Sequence, residues 1–210
     1  NYLISLALLF AFAASAQQEQ MYTQFHLNKI AYNPGYAGSF SSPTMTAIYR
    51  QQWMGLEGAP NAQALSYTQP LLSGRVGIGG GIMRQQIGIS TNLTFDVAYA
   101  YRVKLRRGTF SVGLQASMRN IRQNWADPRI IALDQNDDGI PTEPKSKFLP
   151  NFGAGLYYVA YHDKWYAGLA VPRLVSNSID FAEFGSAFSR EVQHFNAMGG
   201  ITFEANDDLD

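Results

Sequence analysis

One pattern limits what this chain can become. Segments in which apolar and polar residues alternate one by one are joined by connections that run long, short, long, short. In residues 92–105, NLTFDVAYAYRVKL, one face carries Leu93, Phe95, Val97, Tyr99, Tyr101, Val103 and Leu105. The other carries Asn92, Thr94, Asp96, Ala98, Ala100, Arg102 and Lys104. A period of two marks a β-strand with two unlike faces. The alternation recurs in TFSVGLQASMRN and HFNAMGGITF, and eight strands are predicted, at 43–51, 62–70, 75–86, 92–104, 109–122, 151–161, 164–172 and 193–204. Each is close to the about 9–11 residues of a strand tilted across a bilayer, or somewhat longer.

The connections after the second, fourth and sixth strands are tight (PLLSG, LRRG, HD), and those after the first, third, fifth and seventh are longer, two of them very long at 123–150 and 173–192. A soluble sandwich has no reason to gather its long loops at one end. A transmembrane antiparallel up-and-down β-barrel does, with short periplasmic turns and long outer loops. The fold expected is therefore all-β, with strands over 43–204. FEANDDLD at the end reads as one more short polar turn, so 205–210 is expected to be a truncated periplasmic turn and the chain the front portion of a larger barrel. Tyr157, Tyr158, Tyr161, Trp165 and Tyr166 gather around the HD turn, where an interfacial girdle would lie.

Residues 3–16, LISLALLFAFAASA, are apolar and end in Ala14-Ser15-Ala16, an A-x-A cleavage pattern. The run falls short of the about 20 residues a membrane helix needs. Residues 1–16 are thus expected to be a signal peptide, and 17–42 a periplasmic or plug segment. The chain has no cysteine, which removes disulfides, zinc–thiolate sites and thiol nucleophiles. Its formal charge is zero with 15% charged residues, which gives no electrostatic footprint for nucleic acid.

The segment AYNPGYAGSF, 31–40, is too rich in turn formers for a helix and too aromatic for a flexible linker. Pro34 fixes its own φ and biases Asn33 toward extended backbone. Gly35 and Gly38 permit a left-handed or bulged path, and Tyr36 can bury its ring. The segment is read as a rigid clasp at the periplasmic mouth. Downstream, YRQQWMGLEGAP places Trp53 and Leu56 between glycines, which suggests a compact loop folded back over the barrel, or otherwise a hairpin loop with a surface tryptophan.

These two stretches resemble the PorP/SprF family of outer-membrane proteins, associated with type IX secretion and gliding in Bacteroidetes-type bacteria. The first motif lies at Asn33, Pro34, Tyr36, Ala37 and Gly38. The second lies at Tyr49, Arg50, Gln52, Trp53, Gly55, Leu56, Gly58, Ala59 and Pro60. Gly35 departs from the usual small residue such as alanine, and Lys29 interrupts an apolar stretch. The resemblance implies a non-enzymatic barrel in the outer membrane of a Gram-negative cell. It also implies a role in secreting or anchoring cargo such as adhesins, with envelope secretion components and outer-membrane lipid as partners and no cofactor.

Other chemistry has weaker carriers. Asp134, Asn136, Asp138 and Gly139 open like a calcium loop. The twelfth position is Lys145, however, so Glu143 would have to supply the remaining ligand for a weak Ca²⁺ site in an outer loop. His194 and Asn196 share a strand face and, with a serine, could imitate a hydrolytic triad, though a barrel interior needs polar residues anyway. The glycines of GIGGG, 77–81, lack a phosphate-loop lysine and mark a bend or a close approach. A general porin would show rings of lumen charge, for which Asp96, Arg102 and Arg119 are few. A soluble exported β-sandwich that binds, for example, glycans would cover its apolar faces with a second sheet.

Overall fold

A computed structural model describes residues 25–128, 143–179 and 191–203. Eight strands form one antiparallel sheet in sequence order: β1 Thr44–Gln51, β2 Asn61–Leu71, β3 Val76–Ile87, β4 Ser90–Leu105, β5 Gly108–Gln123, β6 Lys145–Ala160, β7 Trp165–Val171 and β8 Asn196–Ile201. Every neighbour in the sheet is a neighbour in sequence, so the topology is up-and-down, and the sheet curls into a half-barrel. The leader expected over 1–16 and the turn at 205–210 lie outside the described residues.

The two ends of the strands differ as the loop parity requires. Connections 72–75, 106–107 and 161–164 lie at one end, and 52–60, 88–89, 124–144 and 172–195 at the other. Strict alternation in length fails at the third connection. Gly88, at φ 55°, lets β3 and β4 pair up to Ile87 opposite Ser90, so this hairpin is as tight as those at the other end. Strand β6 also begins at Lys145 rather than 151, because Lys145 and Lys147 face the polar interior and extend the ladder to Gln123. Strand β8 is shorter than expected, ending at Ile201.

The sheet is inside-out relative to a soluble protein. Along β4, Thr94, Ala98, Ala100 and Arg102 are buried while Phe95, Val97, Tyr99, Tyr101, Val103 and Leu105 are exposed. The register carries this face across the sheet: Leu65, Ile82, Phe95, Met118 and Pro150 form one outward row, and Leu71, Val76, Tyr101, Val112, Leu156, Leu169 and Ala197 another. From Phe95 to Leu105 the outward rows are apolar except at Gln69, whose Oε1 accepts the Tyr67 hydroxyl at 2.7 Å. At about 3.3 Å per residue and a tilt of about 40°, that stretch stands about 25 Å high, the thickness of a barrel's lipid belt. Among the described residues no second sheet covers it, as a sandwich would require.

The aromatic cluster at the 161–164 turn splits by the same parity. Tyr158, Tyr161 and Trp165 lie on the outside. Tyr158 and Trp165 stack with centroids 4.9 Å apart, and the Tyr158 hydroxyl donates to the Arg107 carbonyl, tying two short turns together. Tyr157 and Tyr166 instead face inward, against the N-terminal segment. The expected girdle is thus only partly one.

Candidate functional site

The trough of the half-barrel is occupied by the segment that precedes β1. Three short 3-10 turns, Phe25–Leu27, Lys29–Ala31 and Pro34–Tyr36, carry it over the inner faces of β2 to β7. It lies toward the end bearing turns 72–75, 106–107 and 161–164. Its seat is one row of the sheet: Pro70, Gly77, Ala100, Gly113, Gly155, Ala170 and Asn196 stand opposite one another across β2 to β8, all facing inward. Apart from the asparagine at its end, no residue of this row has a side chain larger than a proline ring. The row therefore forms a groove deep enough for backbone.

Backbone fills it. A Cβ at Gly77 would fall on the Ala37 carbonyl, one at Gly113 on the Pro34–Gly35 peptide, and one at Gly155 on the Asn33 side chain. GIGGG does mark close approaches: Gly77 meets the clasp and Gly79 meets Ile30 and β2, while Gly80 and Gly81 meet the backbone of β4 and β2. Gly38, at φ 68°, has the left-handed backbone that favours glycine. Gly35 does not; a Cβ there would stand 3.1 Å from the Gly155 carbonyl and the Tyr157 amide, close enough that the neighbours must give by a few tenths of an ångström, so the position suits a small residue.

Polar bonds lock the seated chain. Asn33, fully buried and extended at φ −148°, accepts from Gly35 N at 2.8 Å and donates from Nδ2 to the Leu156 carbonyl at 2.9 Å. One side chain thus makes the turn and ties it to β6, giving a buried amide the partners it requires. At the other end of the motif, Gly38 N donates to Thr68 Oγ1 at 2.7 Å, and Arg102 Nη1 donates to the Gly38 carbonyl. Asn196, the first residue of β8, donates to the Tyr32 carbonyl at 3.2 Å and so helps to hold the clasp, while His194 lies before the strand and does not share its face.

The Tyr36 ring is buried edge-on against Tyr157 (5.3 Å, 88°) and Phe40 (5.8 Å, 83°). Burial, and secondarily Tyr166 and Asp163, push its hydroxyl up to about 12. Lys29, the charge that interrupts the apolar stretch, places Nζ 3.7 Å from the Tyr166 ring centroid and 5.5 Å from that of Tyr36. The departure is a cation–π contact.

The second motif is placed elsewhere. Tyr49 and Arg50 lie near the end of β1, where Tyr49 faces outward and accepts from Asn61 Nδ2 at 3.1 Å. The following loop is closed by Gln52 N on the Pro60 carbonyl and joined to the next hairpin by Gly88 N on the Gly58 carbonyl, both at 2.9 Å. Gly55 and Gly58 have positive φ, as does Trp53 at 52°. Trp53 and Leu56 are 63% and 62% exposed. The loop is compact, but it does not fold back over the half-barrel; it has the form of a hairpin loop with a surface tryptophan. Asp134, Asn136 and Asp138 lie outside the described residues. Glu143 is exposed, and Lys145 opens β6.

A second interior cluster escaped sequence reading. Glu191 is 6% exposed, with Oε1 3.0 Å from Arg119 Nη1 and 3.2 Å from Arg173 Nε. Its Oε2 accepts from Asn151 Nδ2 at 3.0 Å, and its amide donates to the Asn177 carbonyl at 2.8 Å. Burial lowers the pKa of Arg173, and Glu191 opposes that shift. This ion cluster fastens both described flanks of the β7–β8 connection to the inner wall.

An apolar convex face, a polar and glycine-lined interior and an internal clasp together define a membrane β-barrel protein. Residues 14–210 match the family model described as type IX secretion system membrane protein PorP/SprF. The chain belongs to that family. No curated protein and no solved structure matches it.

Proposed function

We propose that this protein is a non-enzymatic outer-membrane barrel component of the type IX secretion system of a Bacteroidetes-type bacterium, with its short-turn end in the periplasm. It supports secretion or surface anchoring of cargo such as adhesins through contacts with envelope components. Family membership supports the system, and the apolar belt supports the membrane.

The observation that carries a holding role over a porin-like one is the use made of the interior charges. Arg102 is spent on Gly38, Arg119 and Arg173 on Glu191, and Asp96 accepts from Gln115 Nε2 at 3.0 Å. These five groups fasten the chain to itself; the other inward cations, Arg50, Lys104, Lys145 and Lys147, are spread over three rows and form no ring.

The test is affinity purification of the full-length protein from detergent-solubilised outer membranes. Recovery with a large secreted adhesin or with envelope secretion components supports the reading. Recovery alone, with ion conduction in a planar bilayer, overturns it in favour of a general porin.

A further inference from the structure

Arg84 and Arg122 are the only charged residues at outward-facing positions of the eight strands, among the described residues. The register places them on either side of β4, on β3 and β5, one outward row apart. Arg84 lies in the row Tyr49, Gln63, Arg84, Leu93, Asn120, Phe148, which immediately follows the last apolar row of the belt. Arg122 lies in the next row, with Gln51, Asn61, Gln86, Thr91 and Ser146. Both rows sit at the end carrying loop 52–60. A charge facing lipid costs about 2–4 kcal/mol at the midplane and about 0–1 near the interface, so this is where outward arginines are tolerated. That both are cations, with no outward carboxylate on the strands, calls for an anion.

Both arginines line one cleft of about 340 Å³, together with Gln86, Thr91, Asn124 and Asp127. Arg84 Nη2 donates to Gln86 Oε1 at 3.0 Å, which orients the guanidinium and leaves its other N–H donors available. Asp127 already has a contact within the chain. The row of Arg84 adjoins the last apolar row of the belt, so the natural occupant of the cleft is a headgroup whose acyl chains lie along that belt.

We propose that Arg84 and Arg122 bind the phosphate of an anionic lipid headgroup in the leaflet at the long-loop end. Paired arginines suit phosphate because their planar forks give parallel charge-assisted hydrogen bonds. The inference rests on the orientation proposed above, not on the secretion role.

The test uses the full chain in nonionic detergent, with native mass spectrometry of added diphosphoryl lipid A against its phosphate-free counterpart. The wild type is expected to bind the phosphorylated form about tenfold more tightly or better. The R84Q/R122Q variant is expected to lose that preference, and R106Q/R107Q, at the opposite end, to keep it. Equal binding of both lipids overturns the inference, as does displacement by millimolar inorganic phosphate or loss of preference only in R106Q/R107Q. Residues 1–210 contain no cysteine, so single M54C and R106C variants labelled on intact cells, against the unsubstituted protein as control, read the orientation separately. Labelling of M54C supports the leaflet assignment, and labelling of R106C alone overturns it.

Discussion

The ammonium of Lys29 stands 3.7 Å from the centre of the Tyr166 ring, a cation from the N-terminal segment resting on an aromatic of β7. A contact of this kind contributes from about 0.5 to about 2 kcal/mol, more when it is shielded from water. Lys29→Met is therefore expected to lower stability by about 1–2 kcal/mol, and Lys29→Arg to retain most of it. Urea titration of the folded fraction, read from gel mobility of unheated samples, measures both. Equal loss in the two variants would assign the effect to packing instead.

The groove under the clasp tolerates no added carbon. Gly77→Ala and Gly113→Ala each drive a methyl into clasp backbone, which no rotamer change can relieve. Both are expected to unseat residues 33–38 and expose them to protease in the otherwise folded protein. Gly199→Ala is the control, since its Cβ would make only an ordinary contact at 3.5 Å. Protection unchanged in all three variants rules out the groove as the seat.

Glu191 balances two arginines. Removing one partner of a buried ion pair costs about 3–5 kcal/mol, whereas replacing all members with apolar residues is often neutral. Glu191→Ala is thus expected to be severely destabilising, and the triple change Arg119→Met, Arg173→Met, Glu191→Leu to recover most of the loss. Chemical denaturation of the variants in detergent decides it. A mild effect of Glu191→Ala alone contradicts the electrostatic account.

Tyr36 gives a pH dependence with a definite sign. Its hydroxyl titrates near 10 when unfolded and at about 12 when seated. Between those values the folded state holds the proton that the unfolded state has lost, so stability falls as pH rises from about 10 to about 12 and is unaffected below. Tyr36→Phe is expected to flatten that part of the profile. Absorbance of phenolate near 295 nm, compared between the two proteins, follows the same group directly.

The strands and their faces were readable because a period of two needs only adjacent residues. The same parity already separates Tyr157 from Tyr158, and applying it at the HD turn would have divided the aromatics correctly. The start of β6 was hidden because Lys145 and Lys147 look like loop charges until they are known to face a polar interior. The seat was out of reach for another reason. Gly77, Gly113 and Gly155 are separated in sequence by whole strands, and only the pairing register brings them into line. Glu191 met Arg119 and Arg173 for similar reasons, across connections whose paths leave no periodic trace. The clasp residues Asn33, Pro34, Tyr36 and Gly38 were legible as a rigid turn, but what they grip was not.

That groove has a consequence for assembly. It depends on the stagger of the neighbouring strands: moving β6 by two residues in one direction keeps its faces correct yet brings the ring of Tyr157, in place of Gly155, beneath Pro34. Docking of the clasp therefore acts as a built-in gauge against that slip.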